Sequence, residues 1–88
     1  LEQNYPNPFN PTTTIPYTLD EQTAVKMSIL NLQGREVIQL LNSSQDGGRY
    51  QVTWNGRDMD GNPVEAGVYL CRLETETRTA ITKLLLVR

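Results

Sequence analysis

The 88-residue chain has no histidine, one cysteine, one tryptophan and one phenylalanine. Without histidine, Ser-His-Asp hydrolysis and the usual metal-hydrolase schemes are closed. Cys71 has no partner for an internal disulfide and no imidazole to activate it. It reads as a small apolar filler within "GVYLCRLE". No apolar run reaches the ~18 residues of a membrane-spanning helix, and no segment reads as a signal peptide. Positive charge is scarce: eight Lys and Arg against ten Asp and Glu give a net charge of −2. That excludes the basic face which nucleic-acid binding requires. There is no Gly-rich phosphate loop, and the sequon "NSS" (42–44) carries little weight. A chain this short is one small domain, burying ~60–65% of its unfolded surface. It opens on Leu-Glu-Gln without an initiator Met, as a piece of a longer protein would, so any targeting segment is expected upstream.

What is present is alternation. In "TAVKMSILNL" (23–32), Val25, Met27 and Ile29 alternate with Lys26 and Ser28, the period of a half-buried strand. "QG" (33–34) breaks the run, and Gly34 can take the positive φ of a tight hairpin turn. "REVIQLLN" (35–42) resumes the apolar pattern; a short helix competes there, but the preceding turn favours a hairpin. "SSQDGG" (43–48) is a second turn cluster. "RYQVTWN" (49–55) puts Tyr50, Val52 and Trp54 on one side. A turn-rich stretch (55–67) leads to "VYLCRLET" (68–75), apolar at successive positions like a strand covered on both faces, and "TAITKLLLVR" closes the chain. Strands every ~8–12 residues with turn signals between them predict an all-β antiparallel sandwich.

Four of the five prolines fall in the uncharged opening stretch "NYPNPFNPTTTIPYTL" (4–19). Each residue before proline is pushed towards extended geometry, so residues 1–11 are expected to form a stiff linker arm that docks on a sandwich built from residues 12–88. Ile15, Tyr17 and Leu19 share one face of the first strand. Pro16 removes a ladder donor and places that strand at a sheet edge. An SH3-type ligand is the sharper reading of the prolines, but they lack a basic anchor.

Candidate chemistry is thin. "DMDGN" (58–62) resembles the start of a calcium loop, but the twelfth position is Tyr69, where a carboxylate is required. Asp58, Asp60 and Asn62 read instead as turn builders through Asx hydrogen bonds, a looser calcium site being the alternative. Tyr50 and Trp54 share the parity of Val52 and point to the core rather than forming a sugar platform. No catalytic, cofactor or metal residue is expected.

Four stretches carry a family resemblance: "NYPNPFNPTTTIPYTL", "VKMSILNLQGREVIQLL", "YQVTWNGRDMDGNPVEAGVYLCRLE" and the terminal "TKLLLVR". In this order they resemble the type A C-terminal sorting domain of type IX (Por) secretion, most sharply in "NPFNP" (7–11), "GVY" (67–69) and the basic-apolar tail. "WNGRDMDGNPVEAGVYLCRL" also resembles the Ig-like domain of the flagellar hook-capping protein, which lacks the Pro/Asn arm. The first resemblance implies an Ig-like sandwich of about seven strands, placed behind a cargo domain, often a hydrolase, protease or adhesin of the Bacteroidetes. It implies a non-catalytic signal read in the periplasm, partnered by the outer-membrane secretion machinery and a sortase-like peptidase, with the cargo reaching the cell surface or medium. It places recognition at Gly67, Val68 and Tyr69 and at Lys83 and Arg88. A structural or carbohydrate-binding accessory module of a secreted hydrolase is the alternative.

"KLLLV" (83–87) is apolar on both faces. With Leu84 and Leu86 inward, Leu85 and Val87 face outward beside Lys83, and they join the expected recognition set. An exposed apolar strand with an open edge is a liability unless a partner adds to it or the arm covers it.

Overall fold

A computed structural model describes all of residues 1–88 and is an all-β Ig-like sandwich. Six strands run in order: β1 (Thr13–Leu19), β2 (Thr23–Leu30), β3 (Glu36–Gln45), β4 (Gly48–Trp54), β5 (Gly67–Glu74) and β6 (Thr79–Leu86). β1 and β4 form one antiparallel sheet, and the order β3-β2-β5-β6 forms the other. There is no helix, so none is long and apolar enough to cross a membrane. The count is one below the expected seven, and the opening arm occupies the positions at the sheet margins.

Alternation sets the two inner faces. Ile15, Tyr17, Leu19 and Trp54 meet Val25, Met27, Ile29, Tyr69, Cys71, Leu73, Leu84 and Leu86 in a single core. The β2–β3 hairpin turns at Gly34 (φ +84°), where the Asn31 side chain accepts the Gln33 and Arg35 amides at 3.0 and 2.9 Å. "REVIQLLN" is strand, as the tight turn predicts. Its doublets Val37–Ile38 and Leu40–Leu41 each straddle a bulge, because the register slips between Ile29 and Leu30 and between Met27 and Ser28. The cluster at 43–48 is shorter as a turn than expected: Ser43, Ser44 and Gln45 continue β3, pairing with Val25, Ala24 and Thr23. Their polarity reflects an exposed sheet margin rather than a loop.

Pro16 lies at an edge, as its missing donor requires. Thr14 exchanges backbone bonds with Tyr5 on the side away from β4, and Pro16 shares that parity. Its carbonyl accepts the Glu2 amide at 3.0 Å. The arm itself is bent rather than straight, with cis bonds before Pro6, Pro8 and Pro11. It bridges the sheets. Tyr5 pairs with Thr14 on β1, and four residues later Phe9 pairs in parallel with Leu86 of β6. Asn4, buried between them, donates to Thr13 Oγ1 at 2.9 Å, while Thr13 donates to the Pro6 carbonyl at 2.9 Å.

Candidate functional site

The strand pair β5–β6 is built so that "GVY" and the terminal tail are neighbours. In register, Gly67 faces Leu86, Val68 faces Leu85, and Tyr69 faces Leu84. Leu84 and Leu86 are fully buried, whereas Leu85 and Val87 remain 37% and 38% exposed. Val68, Lys83 and Leu85 therefore gather on the outer face, with Leu70 opposite Lys83. Arg88 turns back, and its guanidinium donates to the Val64 carbonyl at the loop that leads into Gly67. Tyr69 is parted from this group: it is buried on the inner face. Its hydroxyl donates to the Glu65 carbonyl four residues upstream at 2.5 Å, the tyrosine corner of Ig-like sandwiches. Its ring meets Trp54 edge-on at 5.4 Å.

Sequence reasoning missed two contributors to this region. Ile81, 57% exposed, continues the outward parity of Lys83, Leu85 and Val87, and counting back by twos from the tail finds it. The second is the arm. Asn7 Oδ1 accepts the Leu85 amide at 2.9 Å, the Phe9 amide donates to the Leu85 carbonyl at 2.9 Å, and the Val87 amide donates to the Phe9 carbonyl at 2.9 Å. Arm residues 7–9 thus occupy the lower edge of β6. The repeated Asn-Pro of "NPFNP" is the only local signal, and it gives no hint of a partner 78 residues away.

Phe9 enters the core and packs on Trp54 at a centroid distance of 5.7 Å. Gly56 lets the arm approach: at φ +75°, an added Cβ would lie 3.0 Å from the Pro11 carbonyl oxygen.

"DMDGN" is a turn. Asp58 Oδ1 accepts the amides of Asp60 and Asn62, each at 3.0 Å, so the carboxylate is engaged with backbone. No group of three or more His, Cys, Asp or Glu side chains gathers anywhere. A shallow groove of about 330 Å³ between arm and β1–β4 is lined by Tyr5, Pro16, Tyr50, Arg49 and Gln51. Its aromatic surface is largely committed: Tyr50 stacks on Tyr17 at 5.3 Å and Tyr5 donates to Gln51 at 3.1 Å.

Burial pushes the Cys71 thiol up to about 12 from 9.0 and raises Tyr17 and Tyr69 as well. For Tyr69 the Glu65 carboxylate adds to burial, and Arg88 opposes both. All three are acids held in their neutral form by the fold, so the unfolded chain loses these protons first. Stability is expected to be full below the unfolded Cys pKa of 9.0 and to fall as pH rises towards 12. Urea midpoints at pH 8, 9.5 and 10.5 should decline, and less steeply in Cys71→Ala. A flat profile would contradict this. Native Cys71 should also resist thiol reagents.

The family model of the FlgD Ig-like domain matches residues 10–79. No curated protein matches the chain. PorZ, an essential bacterial surface component of the type-IX secretion system of Porphyromonas gingivalis, superposes with a TM-score of 0.68 at 26% identity, over 98% of this chain and 11% of its own. Dimeric latent PorU from the same organism superposes with a TM-score of 0.70 at 18% identity, over 97% of this chain and 9% of its own, a likeness of fold alone. This chain therefore spans about a tenth of the length of either protein.

Proposed function

The chain belongs to the FlgD Ig-like domain family, and we propose that it serves within that family as a non-catalytic sorting module. It directs a covalently attached cargo across the outer membrane by the type-IX route. One observation carries the reading. The segments outside the matched span 10–79 are the arm and nearly all of β6, and these two pair with each other through Asn7, Phe9, Leu85 and Val87. The likeness to PorZ extends over both segments. An Ig-like module elaborated at its two termini, with an apolar strand face left outward, suits a signal that is bound rather than a spacer. The outer face of β6 and the residue that follows it, with Lys83, Leu85 and Val87, is the part that is read. The machinery at the outer membrane is the partner, and a sortase-like peptidase acts after export.

The test fuses residues 1–88 behind a periplasmic fluorescent reporter in a host with type-IX secretion. Wild type should appear outside the outer membrane. Lys83→Ala combined with Leu85→Ser and Val87→Ser should stay in the periplasm. Their backbone bonds to the arm do not depend on these side chains, so the fold should persist. Normal export of the folded triple variant removes β6 as the recognised strand. A wild-type fusion retained in the periplasm removes the sorting reading and favours a structural or sugar-binding module.

A further inference from the structure

Every sheet margin but one is closed by a visible device. β1 is covered by arm residues 2–5. β3 carries two bulges that break its regular spacing. β4 turns Arg49, Gln51 and Thr53 outward, all polar, with one charged. The lower half of β6 holds arm residues 7–9. The upper half is different. The amide and carbonyl of Leu85 both point to the arm, so by the two-residue alternation those of Lys83, Ile81 and Thr79 point the same way. Only the Lys83 carbonyl finds a partner there, the Gln3 side chain at 3.2 Å. The face beside this edge is open too. At β2 the outer face is screened, with Ser28 and Leu30 buried, while Ile81 is the most exposed large aliphatic residue of the strands. Its cross-strand neighbour is Arg72, already paired with Glu74 at 2.9 Å. Lys83 has no carboxylate within salt-bridge distance.

We propose that Thr79–Lys83 of β6 accepts a short extended segment of a partner polypeptide as an added strand, with an apolar side chain over Ile81 and a carboxylate over Lys83. The partner's identity deepens the sorting reading given above and rests on it. Main-chain pairing supplies affinity, and the alternate side chains supply selectivity. The arm sets the length: a strand that runs past Lys83 meets Asn7 and Phe9 on Leu85, so about five residues can pair. A charge of the right sign over Lys83 selects the segment, because this cation has no internal competitor.

The probe is an acetylated, amidated heptapeptide that alternates threonine with valine, glutamate and valine, and a second peptide with lysine in place of glutamate. Titration into the purified 1–88 domain is followed by amide chemical shifts. The glutamate peptide should shift the Ile81 and Lys83 amides and bind about tenfold more tightly than the lysine peptide, the order expected when one attractive pair is replaced by one repulsive pair. In Lys83→Glu that preference should reverse. Ile81→Pro deletes one edge donor and should abolish binding without unfolding the domain, since β1 already carries Pro16 at the equivalent kind of position. Equal affinity of the two peptides overturns the proposal, as do shifts confined to β3 or β4, binding that survives Ile81→Pro, or a concentration-dependent dimer that protects the same amides. Peptide pairing is read without export. A retained wild-type fusion sinks the sorting reading alone, and normal export without peptide pairing sinks strand addition alone.

Discussion

Replacing Phe9 by alanine is expected to remove a large share of the domain's stability, although the residue lies in a segment without regular secondary structure. Phe9 is 1% exposed and packs on Trp54, which in turn meets Tyr69. Truncating a buried phenylalanine costs ~3–5 kcal/mol. A chain of this length holds about 4–13 kcal/mol in total, at about 0.05–0.15 kcal/mol per residue. The melting temperature should fall by at least about 12 °C, given ~4–8 °C per kcal/mol for a domain of this size. The loss is wider than one ring. Phe9 holds the arm on β6, and the arm closes the sandwich between β1 and β6. Asn7→Ala is the comparison. It removes one exposed hydrogen bond to the Leu85 amide and should cost ~0.5–1.5 kcal/mol. Melts followed by Trp54 fluorescence distinguish the two. A Phe9→Ala domain melting within a few degrees of wild type would show that the arm is an ornament.

That result would also explain why the arm was the least legible part of the sequence. A strand announces itself through period two: Ile15, Tyr17 and Leu19, or Val25, Met27 and Ile29, each show their inward face without reference to anything else. "NYPNPFNP" has no period. Its two anchors, Asn4 and Phe9, are five residues apart across two prolines, and their partners lie on β1, β4 and β6. Composition marks this segment as extended and uncharged, and only tertiary packing decides that its phenylalanine is core. β3 shows a milder failure. Its doublets Val37–Ile38 and Leu40–Leu41 break strict alternation because each contains the extra residue of a bulge. Its polar end reads as a turn because an exposed margin and a loop use the same residues. In the candidate site the division is similar. The parity of Leu84, Leu85, Leu86 and Val87 is read directly from the sequence, and so is the neighbourhood of Lys83. The inward turn of Tyr69 follows from its place two residues before Cys71, another core position, yet the match to a motif drew it into the recognition set. A motif groups residues by sequence; a strand divides them between two faces.

Adjacent leucines in the last strand should therefore behave as if they belonged to different proteins. Leu84 and Leu86 are fully buried among Tyr69, Trp54 and Phe9 in the core, and alanine at either should cost ~2–5 kcal/mol. Either change approaches the whole stability of so small a domain, and the pair should leave no cooperative unfolding transition. Leu85 and Val87 stand on the other parity and are more than a third exposed. Serine at each removes only partial burial, so the cost should stay near ~1 kcal/mol, slightly above that of a fully exposed position. Their backbone bonds to Asn7 and Phe9 are retained, which keeps the arm seated. Urea denaturation of the four single variants measures this contrast directly. The midpoints should fall into two groups separated by at least ~1 kcal/mol, with odd positions close to wild type. Intermixed values would mean that β6 does not hold one face to the core, and the outward surface on which recognition is placed would not exist. With the groups apart, the outer-face variants can be trusted in the export test, because a reporter retained by a stable domain reports lost recognition, whereas one retained by Leu84→Ala reports only an unfolded signal.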